Sequence, residues 1–253
     1  FAREWLVGAH KQLTVERSLL TDCYTANRSQ GVWLDYLGDQ IHFTAAFTDG
    51  TANLNTAWNN EDVEFAIGGR FEWMWAGNWG QFADFTSPRG SEYAGMLGFA
   101  VHYQQEEFGT GVPDLHPWDG VSNATANADE TEQFDLTVDC SMEFDGANLY
   151  GAFIYQSWDS EVAGDFDRYG FLIQGGYYFT DDFEGFVRYE WSDFDMMDLY
   201  WPVSGDTAYS FDDLSVLTFG VNKYFAGHNV KWTTDMGIAF DRVEFFAANA
   251  GAG

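Results

Sequence analysis

The side chains able to do chemistry in this sequence do not assemble into a catalytic pattern. His10, His42, His102, His116 and His228 fall at no metal-ligand spacing, and neither a nucleophile elbow nor a phosphate-cradling loop occurs. A Ser/His pair gathered from distant strands is the one enzymatic arrangement left open; no catalytic residue is expected. The chemistry on offer is electrostatic. Charged groups recur at alternate positions: Glu64, Arg70 and Glu72; Asp135, Asp139 and Glu143; Glu184, Arg188 and Glu190; Lys231 and Asp235; with His42 and His102 in phase. On a water-filled pore wall, carboxylate rings favour cations and basic rings favour anions. Alternatively, several acids pair with bases across strands or lie at a rim in bulk water. A separate cluster, Asp193, Asp195, Asp198, Asp206, Asp212 and Asp213, could hold Ca²⁺, but its spacing is not that of an EF-hand loop. A solvated acidic loop is the competing reading, and no metal site is expected elsewhere.

The elements that must position these groups are strands. From Asp62 to Trp75, Val63, Phe65, Ile67, Gly69, Phe71, Trp73 and Trp75 fall on one side; Asp62, Glu64, Ala66, Gly68, Arg70, Glu72 and Met74 fall on the other. Side chains alternate across a strand, so one face is apolar and the other charged or small. A helix would mix the two sets. Soluble strands run about 5–6 residues, whereas crossing a bilayer at a tilt takes about 9–11. The same rhythm predicts about ten strands from Gly31 to Phe240, joined alternately by short turns and long polar loops. The connection from Ala76 to Glu92 breaks that alternation, being too long for a plain turn. Residues 1–30 are the least legible, and 13–20 fit a strand or a helix.

Composition narrows the classes. The chain has 253 residues, with 11 Lys and Arg against 40 Asp and Glu, a formal net charge of -29. That balance excludes non-specific nucleic-acid binding, which needs a basic surface. Aromatics at 19% exclude a disordered acidic tail. No apolar run approaches the roughly 20 residues of a transmembrane helix, which says nothing against a barrel. Cys140 reads as a small hydrophobe on an apolar face, with a bond to Cys23 as the alternative.

A soluble sandwich would hide a compact core rich in Val, Ile and Leu. Here the apolar face is Phe, Tyr, Trp, Leu, Ile, Val and Gly, with aromatics near strand ends. The opposite face reads as Asp, Glu, Thr, Ser, Gly, Ala and occasional Arg, as in a hydrated lumen. The expected fold is therefore an all-β, antiparallel transmembrane β-barrel. Phe65, Ile67, Phe71, Phe99, Leu136, Val138, Phe171 and Phe219 are expected to face lipid, and the alternating charged residues the pore.

Several stretches resemble the phosphate-selective porin O and P family of bacterial outer membranes: Thr14-Val15-Glu16-Arg17-Ser18-Leu19, Arg28-Ser29-Gln30-Gly31-Val32 and Leu217-Thr218-Phe219-Gly220-Val221-Asn222-Lys223-Tyr224-Phe225. Phe85-Thr86-Ser87-Pro88-Arg89-Gly90 and Tyr224-Phe225-Ala226-Gly227-His228-Asn229 are similar to the versions carried by planctomycetes. The resemblance implies one outer-membrane barrel domain over 1–253, of roughly sixteen strands in the family, with N-terminal strands and the closing C-terminal strand lacking here. It also implies a homotrimer in which each subunit carries its own pore. The family name implies anion transport. The visible pore-facing residues carry more acids than bases and predict a weakly cation-preferring or unselective channel instead. Two readings of function follow: a porin passing small hydrophilic solutes and ions by passive diffusion, or a barrel plugged by its own loops, with a structural or surface-binding role.

Overall fold

Ten alternating stretches form ten strands of one antiparallel sheet in a computed structural model that describes residues 2–24, 30–48, 50, 65–106, 131–160, 165–193 and 213–241. The strands are β1 (Gly31–Leu37), β2 (Ile41–Thr48), β3 (Phe65–Ala76), β4 (Ala94–Glu106), β5 (Thr131–Phe144), β6 (Ala147–Ser160), β7 (Phe166–Tyr178), β8 (Phe183–Asp193), β9 (Asp213–Tyr224) and β10 (Lys231–Ala239). Each pairs with its sequence neighbour, so the spatial order is the chain order. Among the described residues no pairing joins β1 to β10, and both strands are largely exposed on both faces.

Register carries the period-two pattern from strand to strand. Phe43, Phe71, Phe99, Val138, Phe153, Phe171 and Trp191 lie opposite one another in turn. The adjacent row, on the other face, is His42, Glu72, Gly98, Asp139, Ala152, Leu172 and Glu190. A one-residue slip would exchange the two faces, which fixes the register.

The stretch that was illegible in sequence covers the polar face. It folds as α1 (Arg3–Leu6), a 3₁₀ turn (Ala9–Lys11) and α2 (Leu19–Cys23). Ser18 caps α2 by accepting a hydrogen bond from the Thr21 backbone N–H, 2.9 Å long. Leu13, Leu20, Cys23 and Tyr24 pack on Tyr150, Ile154, Leu172, Phe186, Leu214 and Val216 of the sheet. That face therefore is not the uniformly hydrated surface read from the sequence. The long 77–93 connection also folds onto it, placing Phe85 against Tyr150 with ring centroids 4.9 Å apart. No disulfide joins Cys23 and Cys140, which lie on opposite faces, so the alternative of a bond between them does not hold.

Candidate functional site

The charged residues separated in sequence meet beneath residues 2–24 in two ionic networks. In the first, Arg70 on β3 reaches across β4 to Asp139 on β5, with Nη1 2.7 Å from Oδ2 and Nη2 2.9 Å from Oδ1. Its Nε donates to Glu72 over 2.8 Å. The crossing works because β4 has Gly98 beneath the guanidinium: a Cβ there would sit 2.2 Å from Arg70 Nη2 and 2.7 Å from Asp139 Oδ1. His42 extends the network, its Nδ1 2.7 Å from Glu72 and its Nε2 2.9 Å from Asp35. From the segment, Arg3 donates its backbone N–H to Asp139 and its Nη1 to Ser141, 2.8 Å away. It also donates Nη2 to the carbonyls of Phe82 (2.6 Å) and Asp84. The guanidinium lies over the Phe85 ring, 4.4 Å from its centroid, a cation–π contact.

The second network centres on Arg188 of β8. Its Nη1 donates to Thr14 Oγ1 (2.7 Å) and the Glu16 carbonyl (3.1 Å), and its Nη2 to the Arg17 carbonyl (3.3 Å). Glu4 lies 3.6 Å from it and Glu190 3.5 Å. Glu4 also accepts from the Ser18 N–H (2.7 Å), Ser18 Oγ (2.5 Å) and Thr21 Oγ1, binding α1 to α2. Buried opposite charges are tolerated only when so paired and hydrogen-bonded.

Side chains of β8 to β10 hold the segment by its backbone. Lys231 donates to the Gln12 carbonyl (2.5 Å), Asn222 to the Leu13 carbonyl (2.9 Å), and Asp235 and Glu190 accept from the N–H groups of Val15 (2.8 Å) and Leu20 (3.0 Å). Glu184 is satisfied within the sheet by Asn148 (3.0 Å), Asn222 (3.2 Å) and Tyr224 (2.6 Å). Arg168 is stacked between the Tyr24 and Trp158 rings at 4.6 Å from each and donates to Gln156 over 2.5 Å. Nearby, His102, Asp135, Thr137 and Gln156 meet Ala2, Trp5, Thr21 and Tyr24 around a cavity of about 20 Å³, room for one water-sized molecule.

The expected pore-facing residues His42, Arg70, Glu72, His102, Asp135, Asp139, Glu143, Glu184, Arg188, Glu190, Lys231 and Asp235 thus share one face. Glu64 lies outside the described residues. Most are covered rather than bare: Asp139, Glu143, Glu184, Arg188 and Glu190 are buried. Residues 2–24 instead expose Leu6, His10, Val15 and Glu16, with Lys11 and Arg17 half-buried. Arg3 and Glu4 carry no periodic signal and were missed; Arg168 is in phase with the covered face of β7 but stands one residue before the alternation that begins at Tyr169. Two of the stretches singled out by resemblance come together, Thr86 Oγ1 lying 3.1 Å and Asp84 Oδ2 3.4 Å from His228 Nε2.

The opposite face is bare. Ile67, Phe71, Phe99, Phe171 and Phe219 are exposed on it, and Phe65, Leu136 and Val138 are half-buried. Its rows from Ile67 to Trp75, Gly95 to Tyr103, Phe134 to Phe144, Leu149 to Ser157, Tyr169 to Phe179, Phe183 to Trp191 and Ser215 to Val221 contain no charged side chain. Of the acidic cluster considered for Ca²⁺, Asp193 and Asp213 face each other across β8 and β9, and the rest lie outside the described residues. No protein family, curated protein or solved structure matches the chain.

Proposed function

We propose that this sheet is the wall of a transmembrane β-barrel of porin type, its bare face in lipid and its covered face toward a lumen narrowed by residues 2–24. The observation that carries the reading is the charge-free bare face over seven neighbouring strands, backed by a face on which charges are paired. Hydrocarbon tolerates no exposed charge and no open backbone, and lipid-facing strands alternate in this way. Aromatics flank the band: Trp73–Trp75 and Tyr93–Phe144 at the short-turn end, Phe65–Tyr103 and Tyr169–Trp191 at the other. Tyr169 and Phe179 are ten residues apart on β7 and its turn. At about 3.3 Å per residue and a tilt of about 40°, that spans roughly 25 Å, the height of the apolar band in outer-membrane barrels.

Such a channel passes small hydrophilic solutes and ions by diffusion in a bacterial outer membrane; assembly as a homotrimer rests on the family resemblance. Among the described residues β1 and β10 are the edges of the sheet, and in lipid such edges must be paired. Selectivity should be weak, because Arg70 and Arg188 each offset one charge of a carboxylate pair, Glu72 with Asp139 and Glu4 with Glu190, which leaves a surplus of acids on the covered face. The burial of the covered face beneath residues 2–24 favours a second reading, a barrel filled by its own chain. Planar-bilayer conductance of the complete protein separates them: steady ohmic channels support the porin, and a folded, inserted protein without conductance supports the filled barrel.

A further inference from the structure

The seam between residues 2–24 and the sheet is mixed, its apolar cluster bordered by buried polar and charged side chains. Both ends of the buried Gln174 amide, with Gln12 Oε1 and Arg17 Nε, find no hydrogen-bond partner among the described residues, and Arg188 Nε and Glu190 Oε1 meet only as an ion pair 3.5 Å apart. Gln174 sits beside Arg188 in the β7–β8 register, and Arg188 holds Thr14, Glu16 and Arg17 of the segment, so these atoms gather along one seam. Burying polar atoms without partners is costly, and water entering the seam removes that cost. The bonds that Lys231, Asn222, Asp235 and Glu190 make to the segment go to its backbone, and water replaces bonds of that kind at little loss. Opposing release are the apolar contacts of Leu13, Leu20, Cys23 and Tyr24, the Glu4–Arg188 pair, and the bonds of Arg3 to Asp139, Ser141 and the Phe82 and Asp84 carbonyls. Glu4 also ties α1 to Ser18 and Thr21 of α2, so that the segment is one body.

We propose that residues 2–24 are a gate that lifts from the β7–β10 wall as a unit, with Arg188 as its latch. Lifting hydrates the orphaned seam and widens the lumen, an inference that rests on the barrel reading. The mechanism is a population shift: weakening the latch raises the lifted fraction, and modification of a residue on the gate's buried side tracks that fraction.

The chain carries its own reporter. Cys23, on the buried side of the segment itself, is 5% exposed, whereas Cys140 lies on the other face and is replaced by Ala to leave a single thiol. The complete protein is reconstituted in vesicles and treated with a charged, water-soluble methanethiosulfonate. The expected result is slow Cys23 modification in the parent, at least tenfold faster modification in Arg188→Gln and Glu4→Gln, and a larger mean conductance in both. If Arg188→Gln does not assemble, Lys231→Met is the milder substitution and should give a smaller acceleration in the same direction. Unchanged Cys23 rates in every variant that folds would overturn the gate, whatever the channel does. Faster modification without any conductance would retain the gate and remove the porin reading, so the two failures are distinguishable.

Discussion

Gly98 tests the wall's electrostatics without deleting a charge. In Gly98→Ala the new methyl would lie 2.2 Å from Arg70 Nη2 and 2.8 Å from Cζ, so the guanidinium must swing off Asp139. The Asp139 side chain is completely buried, and its remaining contact of this kind is the 3.3 Å bond from the Arg3 backbone N–H. Stripping a buried charge of its partner costs about 3–5 kcal/mol, and Ala recovers about 0.5–1 kcal/mol over Gly inside a strand, so the net loss is roughly 2–4 kcal/mol. With Asp139→Asn already in place there is no carboxylate to strand, and Arg70 retains Glu72. There Gly98→Ala should cost under about 1 kcal/mol, a coupling within the range found for residues in contact. The assay is the urea midpoint of the reconstituted protein by tryptophan fluorescence, for both singles and the double. Equal costs of Gly98→Ala in the two backgrounds, or no cost in either, would refute the claim that Gly98 exists to let this ion pair cross β4.

The two faces should respond oppositely to charge. Phe171→Arg on the bare face should weaken membrane assembly by about 2–4 kcal/mol at mid-depth, whereas Asp35→Arg on exposed β1 should leave it nearly unchanged; similar losses would remove lipid from the bare face. At the short-turn end, burial tends to raise the Asp84 carboxyl, but hydrogen bonds from His228 and Thr86 outweigh it and hold the carboxyl below its ordinary value. A lowered folded-state value contributes stability above the ordinary carboxylate range, about pH 4, that is lost as pH falls through the lowered value. The midpoint difference between the parent and Asp84→Asn should therefore be constant near neutrality and shrink below about pH 4; a difference that is flat to pH 2 contradicts an Asp84 carboxylate held by His228 and Thr86. Reversal potentials in a KCl gradient should show weak or no cation preference, growing as salt is lowered because wall charges act over about 8 Å at physiological strength. A strong Cl⁻ preference that increases at low salt would show that the half-buried Lys11 and Arg17 outweigh the remaining acids.

What could be read from the sequence was whatever repeats every second residue. Phe134 to Phe144 alternates strictly, and it forms β5 in the expected phase, because strand pairing is local and its pattern is written within a dozen residues. The covering segment has no such signature. Arg188 bonds Thr14 across 174 positions, and Asn222 bonds Leu13 across 209. No period links such partners, and the segment's own turns and short helices are stabilised by the sheet rather than by propensity. The apolar floor of the covered face hid for a related reason. Ile154, Leu172, Phe186 and Leu214 come from four neighbouring strands, interspersed there with polar residues, and become a cluster only when the register aligns them. Charge was legible in part. Parity gathers Arg70, Glu72, Asp139, Arg188 and Glu190 on one face, and pairing of acids with bases across strands is one of the two readings it allows, but alternation does not say which acid meets which base. Arg70 bridges two carboxylates and Arg188 lies between two more, one of them Glu4 from the segment, so the field a solute would feel depends on partners that the alternation cannot name.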